Sequence, residues 1–157
     1  VNGPCVGAGM SLAMACDLIF AARSASFSQA FVNIGLVPDA GSSYFLPRLI
    51  GPARAARMAL LADNITAEEA ERWGLVSFVV DDDSLFDNAM ATARKLAKGP
   101  TRSIAAICQM IRASSGNSLS EQLEMERTHQ QQAGYSEDFA EGVKAFLEKR
   151  KPVFKGK

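Results

Sequence analysis

Two short segments hold residues whose types and spacing suit oxyanion and proton-transfer chemistry. Asn2 to Ser11 runs a glycine-rich turn, Gly7-Ala8-Gly9, straight into an apolar helix. The first N–H groups of that helix lack intrahelical acceptors and are free to face a ligand. Phe27 to Ser43 holds one carboxylate, Asp39, in a Pro38-Asp39-Ala40-Gly41 turn between apolar flanks. Main-chain donors for a developing oxyanion, with a single acid to carry a proton, point to an enzyme.

Each feature also has a plain structural explanation. A glycine turn allows close helix–sheet packing, and an aspartate after proline commonly bonds its own backbone. Gln29 and Asn33 lie near the same segment as orienting amides or as ordinary structural ones.

The elements that must position these groups follow from pattern. A helix is expected over about residues 8–16, with short strands at Leu18–Ala22 and Ala25–Ser28. Residues 31–36 are ambiguous. Ser42 or Ser43 would cap a helix ending near Gly51, and Pro52 opens the next. Thr66-Ala67-Glu68-Glu69 fits a capping box, with a stop at Gly74. Leu75–Val80 is one more strand, and the remainder is helical: 85–98, 100–114, 118–133 and 137–149. The division expected is 1–80, a βα core, and 81–157, a helical region.

Composition bounds the function. The chain has 157 residues, 48% of them hydrophobic, and 17 basic residues balance 17 acidic ones. Nothing there suggests nucleic-acid or membrane partners. The apolar run Val6–Ala15 is too short to span a bilayer, and no secretory pattern is present. Cys5, Cys16 and Cys108 form no CxxC pair and are expected as buried, reduced thiols of a cytoplasmic protein. The lone histidine, His129, is expected as a solvated helix residue, and no metal site is expected. Val1-Asn2-Gly3 reads as a strand end entering a turn, so an upstream part of the fold is expected.

The segments Val1–Gly9, Cys16-Asp17, Ala25–Phe27, Gly35–Gly41, Phe45–Arg48, Thr66–Ala70, Trp73–Val76 and Glu141–Pro152 carry a resemblance. In one register, the chain resembles the crotonase (enoyl-CoA hydratase/isomerase) superfamily, and within it the ring-epoxide phenylacetyl-CoA isomerases. The resemblance implies an α/β fold: the second half of a ββα spiral, then a C-terminal helical trimerisation region, in a homotrimer or homohexamer. The substrate implied is an acyl-CoA thioester, with no metal or redox cofactor.

Residue by residue, the resemblance makes Ala8 N–H an oxyanion donor in the loop Gly7, Ala8, Gly9. It makes Asp39 the acid–base, at a position where isomerase branches carry an acid. The family's hydratases place glutamates where this chain has Ser11 and Phe31; neither can act as a carboxylate base, and Phe31 would exclude water from the substrate. Phe146 and Lys149 match tail positions that reach a neighbouring subunit's CoA, Lys149 as a point charge on phosphate; a solvated basic tail is the alternative. Val37, Pro38, Phe45 and Leu46 are expected to desolvate Asp39 and so raise its pKa. The activity implied is acyl-CoA isomerisation. The alternatives are a hydratase with a degenerate site and a non-catalytic piece kept for oligomerisation.

Overall fold

The computed structural model describes residues 1–157, which form two compact units, Val1–Ala89 and Met90–Lys157. The division falls inside a helix, nine residues beyond the composition shift at 80/81, and Leu85 packs against the core of the first unit.

In the first unit, strand β1 (Pro4–Val6) leads into helix α1 (Ala8–Met14). Strands β2 (Phe20–Ala22) and β3 (Ser26–Ser28) follow, then a 3-10 turn at Ala30–Ile34. Helices α2 (Ser42–Ile50) and α3 (Pro52–Leu61), strand β4 (Ile65–Thr66), helix α4 (Ala67–Trp73) and strand β5 (Phe78–Val80) complete it. The strands near Arg23-Ser24 do not pair with each other. β3 lies parallel to β1, with Cys5 opposite Phe27, and antiparallel to β4, whereas β2 lies parallel to β5. Phe20 and Phe78 are register partners in that second pair, and their rings stack at 4.6 Å. Met10, Met14, Ala21, Phe27, Met58, Ile65 and Ala70 form the buried core.

Turn chemistry sets the element ends. α1 stops at Met14, short of the expected Ala15-Cys16. Gly51, at φ 80°, separates α2 from α3, whose first residue is the expected Pro52. The Thr66 hydroxyl accepts the Glu69 N–H at 3.2 Å, and left-handed Gly74 closes α4. The ambiguous stretch 31–36 folds as the 3-10 turn, ended by Gly35 at φ 72° with the Leu36 N–H returning to the Phe31 carbonyl at 3.0 Å. All three expected strands are shorter than the sequence suggests, because only Phe20–Ala22, Ser26–Ser28 and Phe78–Val80 find a register partner.

Helix α5 (Leu85–Ala97) carries the division; α6 (Thr101–Ser114), α7 (Leu119–Gly134) and α8 (Glu137–Leu147) make up the second unit. Ser118 and Glu121 form a full capping box on α7, and the Ser136 hydroxyl accepts the Phe139 N–H at 3.0 Å on α8. None of α5, α6 and α7 holds a buried residue, so Ile107, Ile111, Leu119 and Leu123 stay exposed. The tail folds back on α8. Buried Asp138 accepts the N–H groups of Lys155 and Gly156 at 2.7 and 2.9 Å, and its own N–H donates to the Lys157 carbonyl at 3.1 Å.

Only Cys5 fulfils the expectation of buried thiols: Cys16 is exposed, Cys108 is half-buried, and all three are free. His129 is half-buried rather than solvated, on the wall of a cavity of about 410 Å³ with Arg102, Gln109 and Gln132. No helix is long and apolar enough to cross a membrane.

Candidate active site

The glycine turn is built by backbone conformation. Gly7 sits at φ 55°, ψ −126°, a combination that only glycine adopts readily. Its N–H donates to the Ser28 carbonyl at 3.0 Å, carrying the β1–β3 pairing one residue past the strand and fixing the turn to β3. Its carbonyl accepts the Ser11 N–H at 3.0 Å and the Ser11 hydroxyl at 3.3 Å. A trans peptide places C=O and the next N–H on opposite sides. With the Gly7 oxygen held toward Ser11, the Ala8 N–H therefore points out of the start of the helix. No side chain caps that end, and Ala8 and Gly9 are both exposed. α1 has only 7 residues, so the donor rests on this peptide plane more than on a helix dipole.

Phe31 covers the turn. Its ring lies 3.6 Å from where a Cβ on Gly7 would stand, and the residue is 8% exposed. Ser11 is fully buried, with its hydroxyl committed to the Gly7 carbonyl. Positions 31 and 11, where the resemblance implies the glutamates of the hydratases, thus present a hydrocarbon ring and a neutral hydroxyl.

Asp39 lies on a strained turn. Its carbonyl accepts the Ser42 N–H at 2.9 Å across Ala40 at φ 48° and Gly41 at φ 84°. An i to i+3 bond over two positive-φ residues belongs to the type I′ class. Ala40 holds a conformation that a side chain disfavours by roughly 1–2 kcal/mol. Gly41 could not be replaced simply, because a Cβ there would meet the Phe45 ring at 2.9 Å. The expected desolvation of Asp39 is absent within this chain. Asp39 is exposed, and Val37 beside it is 78% exposed.

Sequence pattern offered Ser42 or Ser43 as the cap of α2; the structure uses neither and gives Ser42 a different role. Gly41 occupies the cap position of α2, and the Ser42 hydroxyl donates to Gln29 Oε1 at 2.8 Å in the interior. The left-handed glycine just before it was the available signal. Asn33 is exposed on the 3-10 turn. Cys5 is buried, and that burial pushes its thiol pKa up and favours the protonated form.

Phe146 and Lys149 belong to the second unit. Phe146 is exposed and lines an apolar recess of about 450 Å³ with Phe139, Val143 and Phe154. Lys149, just past α8, is exposed and left-handed at φ 52°, and its N–H donates to the Phe146 carbonyl at 3.2 Å. No cluster of three His, Cys, Asp or Glu side chains is arranged to hold a metal ion.

The profile described as enoyl-CoA hydratase/isomerase matches residues 1–157. The chain belongs to the enoyl-CoA hydratase/isomerase family. It is similar to the 1,2-epoxyphenylacetyl-CoA isomerase of Escherichia coli strain K12, 48% identical over 157 residues, which are 100% of this chain and 60% of the relative. It is 49% identical to a "probable enoyl-CoA hydratase" of Rhodobacter capsulatus, with coverages of 100% and 61%. A crystal structure from Mycobacterium abscessus, assigned to the same hydratase/isomerase group, superposes with a TM-score of 0.98 at 45% identity. That match covers 100% of this chain and 60% of the other. The chain therefore spans about three fifths of the length of these family members. Its α/β architecture is the crotonase fold of the enoyl-CoA hydratase/isomerase family.

Proposed function

We propose that the protein carrying this chain is an acyl-CoA isomerase working through a thioester enolate. The observation that carries this reading is what stands at the glycine turn: Phe31 packed over Gly7, and Ser11 bonded to its carbonyl. Neither can ionise to activate water, which disfavours hydration by a glutamate pair. The name of the Escherichia coli relative supports the isomerase reading, while that of the Rhodobacter capsulatus relative keeps hydration as its rival.

In this mechanism Asp39 removes a proton from the acyl chain as the electron pair moves into the thioester carbonyl. The oxygen that gains the charge takes a hydrogen bond from the Ala8 N–H, with Gly7 and Gly9 shaping the loop. Asp39 then returns the proton at another carbon, so the double bond shifts with no net gain or loss of atoms. An acyl group bearing a ring epoxide is converted to its oxepin isomer through the same enolate chemistry. A donor already aimed at the charged oxygen needs no reorganisation, and such a donor is worth ~10²–10³ in rate. Phe31 faces the acyl group. Phe146 and Lys149 meet coenzyme A held by a neighbouring subunit of a homotrimer or homohexamer, whose contacts residues 81–157 supply. A cytoplasmic location goes with this reading, consistent with three free cysteines and no disulfide.

The test is Asp39→Asn in the full-length protein, assayed for isomerisation of a 3-enoyl-CoA and for hydration of crotonyl-CoA. The expected result is loss of isomerisation by at least ~10², with hydration negligible before and after. Isomerisation that survives the change, or hydration that dominates in the unaltered protein, overturns the reading.

A further inference from the structure

Gln29 is an amide in a place where packing alone gives no reason for one. Its side chain is fully buried; Oε1 accepts the Ser42 hydroxyl at 2.8 Å, while Nε2 has no partner. A half-satisfied buried amide is less stable than an apolar side chain of the same shape. What the satisfied half reaches supplies the reason. Ser42 is also buried, and its N–H closes the Asp39 turn at 2.9 Å. Of the residues between, Gly41 adopts its positive φ freely, whereas Ala40 at φ 48° holds a conformation that persists only where surrounding bonds over-determine it. Gln29 also occupies the cap position of the 3-10 turn that carries Phe31. One buried side chain therefore ties the backbone leading to the ring over Gly7 to the backbone that carries the acid.

We propose that Gln29 is a positioning residue, whose buried amide holds the Asp39 turn in its strained form through Ser42 and so sets the pose of the Asp39 carboxylate. The role of that pose in proton transfer rests on the isomerase reading above; the tether itself does not. Gln29 touches no reacting atom. Its effect falls on the turnover step, because a carboxylate displaced by a fraction of an ångström still permits substrate binding but transfers a proton poorly.

The variants are Gln29→Met, which keeps the length and removes the amide, and Ser42→Ala, which removes the other end of the bond. Both are made in the full-length protein and followed by melting temperature, kcat, KM and hydrogen exchange at the Ser42 amide. Gln29→Met is expected to keep or raise the melting temperature, to speed Ser42 exchange, and to lower kcat about tenfold with KM within about twofold. Ser42→Ala is expected to lower kcat similarly, and the double variant is expected to be no worse than either single one. If Gln29→Met does not fold, Ser42→Ala decides by its kcat and by exchange at the amide of residue 42. An unchanged kcat, a kcat loss that merely follows a lowered melting temperature, or unaltered exchange in both variants overturns the proposal. Should Asp39→Asn retain activity, the isomerase reading falls, and the exchange rate alone upholds or overturns the tether.

Discussion

The Ser11 hydroxyl and the Ser11 N–H converge on one acceptor, the Gly7 carbonyl, at 3.3 and 3.0 Å. That carbonyl shares a peptide plane with the Ala8 N–H, so Ser11 steadies the donor from behind. Ser11→Ala is expected to keep the backbone bond and the fold, at a cost of about 1 kcal/mol in stability. Turnover should fall severalfold with KM little changed, as steady-state kinetics on an acyl-CoA substrate would show.

Gly7→Ala should be far more damaging, and for a backbone reason. Space for the methyl exists, since the Phe31 ring lies at an ordinary contact distance of 3.6 Å. The conformation at φ 55°, ψ −126° is the obstacle. Holding alanine there costs of order 1–3 kcal/mol; relaxing it rotates the peptide and swings the Ala8 N–H away. Melting temperature and kcat should both drop, kcat by ~10²–10³ if the donor is lost.

The Asp39 turn makes opposite predictions for neighbouring residues. Ala40→Gly relieves a side chain at φ 48° and should stabilise the protein by about 1 kcal/mol. Gly41→Ala adds a methyl at φ 84° that meets the Phe45 ring, and should destabilise by roughly 1–3 kcal/mol. Denaturant titrations of the two variants should therefore shift in opposite directions.

Acid stability should depend on Glu141. Hydrogen bonds from the Arg150 guanidinium at 2.6 and 2.9 Å, then the Val153 N–H at 2.8 Å, lower its pKa from 4.5 to about 2. A carboxyl whose folded pKa is depressed stabilises the fold fully above its unfolded value, and that contribution fades as pH falls through the folded one. The window is thus from about pH 4.5 down to about 2. Melting temperature should decline across it, and Glu141→Gln should flatten the decline.

How much of this was legible in the sequence depended on whether a feature is local. Gly74, Pro52 and the Thr66 cap act over a few residues, and each does in the structure what its type predicts. The assignment of β2 and β3 to different sheets was not legible, because pairing partners lie elsewhere in the chain and period-2 patterns do not name them. At the site, the Gly7 turn and the lack of a carboxylate at positions 11 and 31 were readable one residue at a time. The bond from Ser42 to Gln29 was not, since a serine at a helix start reads as a cap until the preceding glycine is seen to hold that place. Burial of Asp39 was expected from its apolar neighbours, yet Leu46 and Phe45 turn into the core while Val37 and Asp39 itself stay exposed.

The grip of Asp138 on the N–H groups of Lys155 and Gly156 has a practical consequence. Residues 155–157 act as a latch on the helix bearing Phe146. Removing residues 155–157 would strand a buried carboxylate without its donors and loosen that helix.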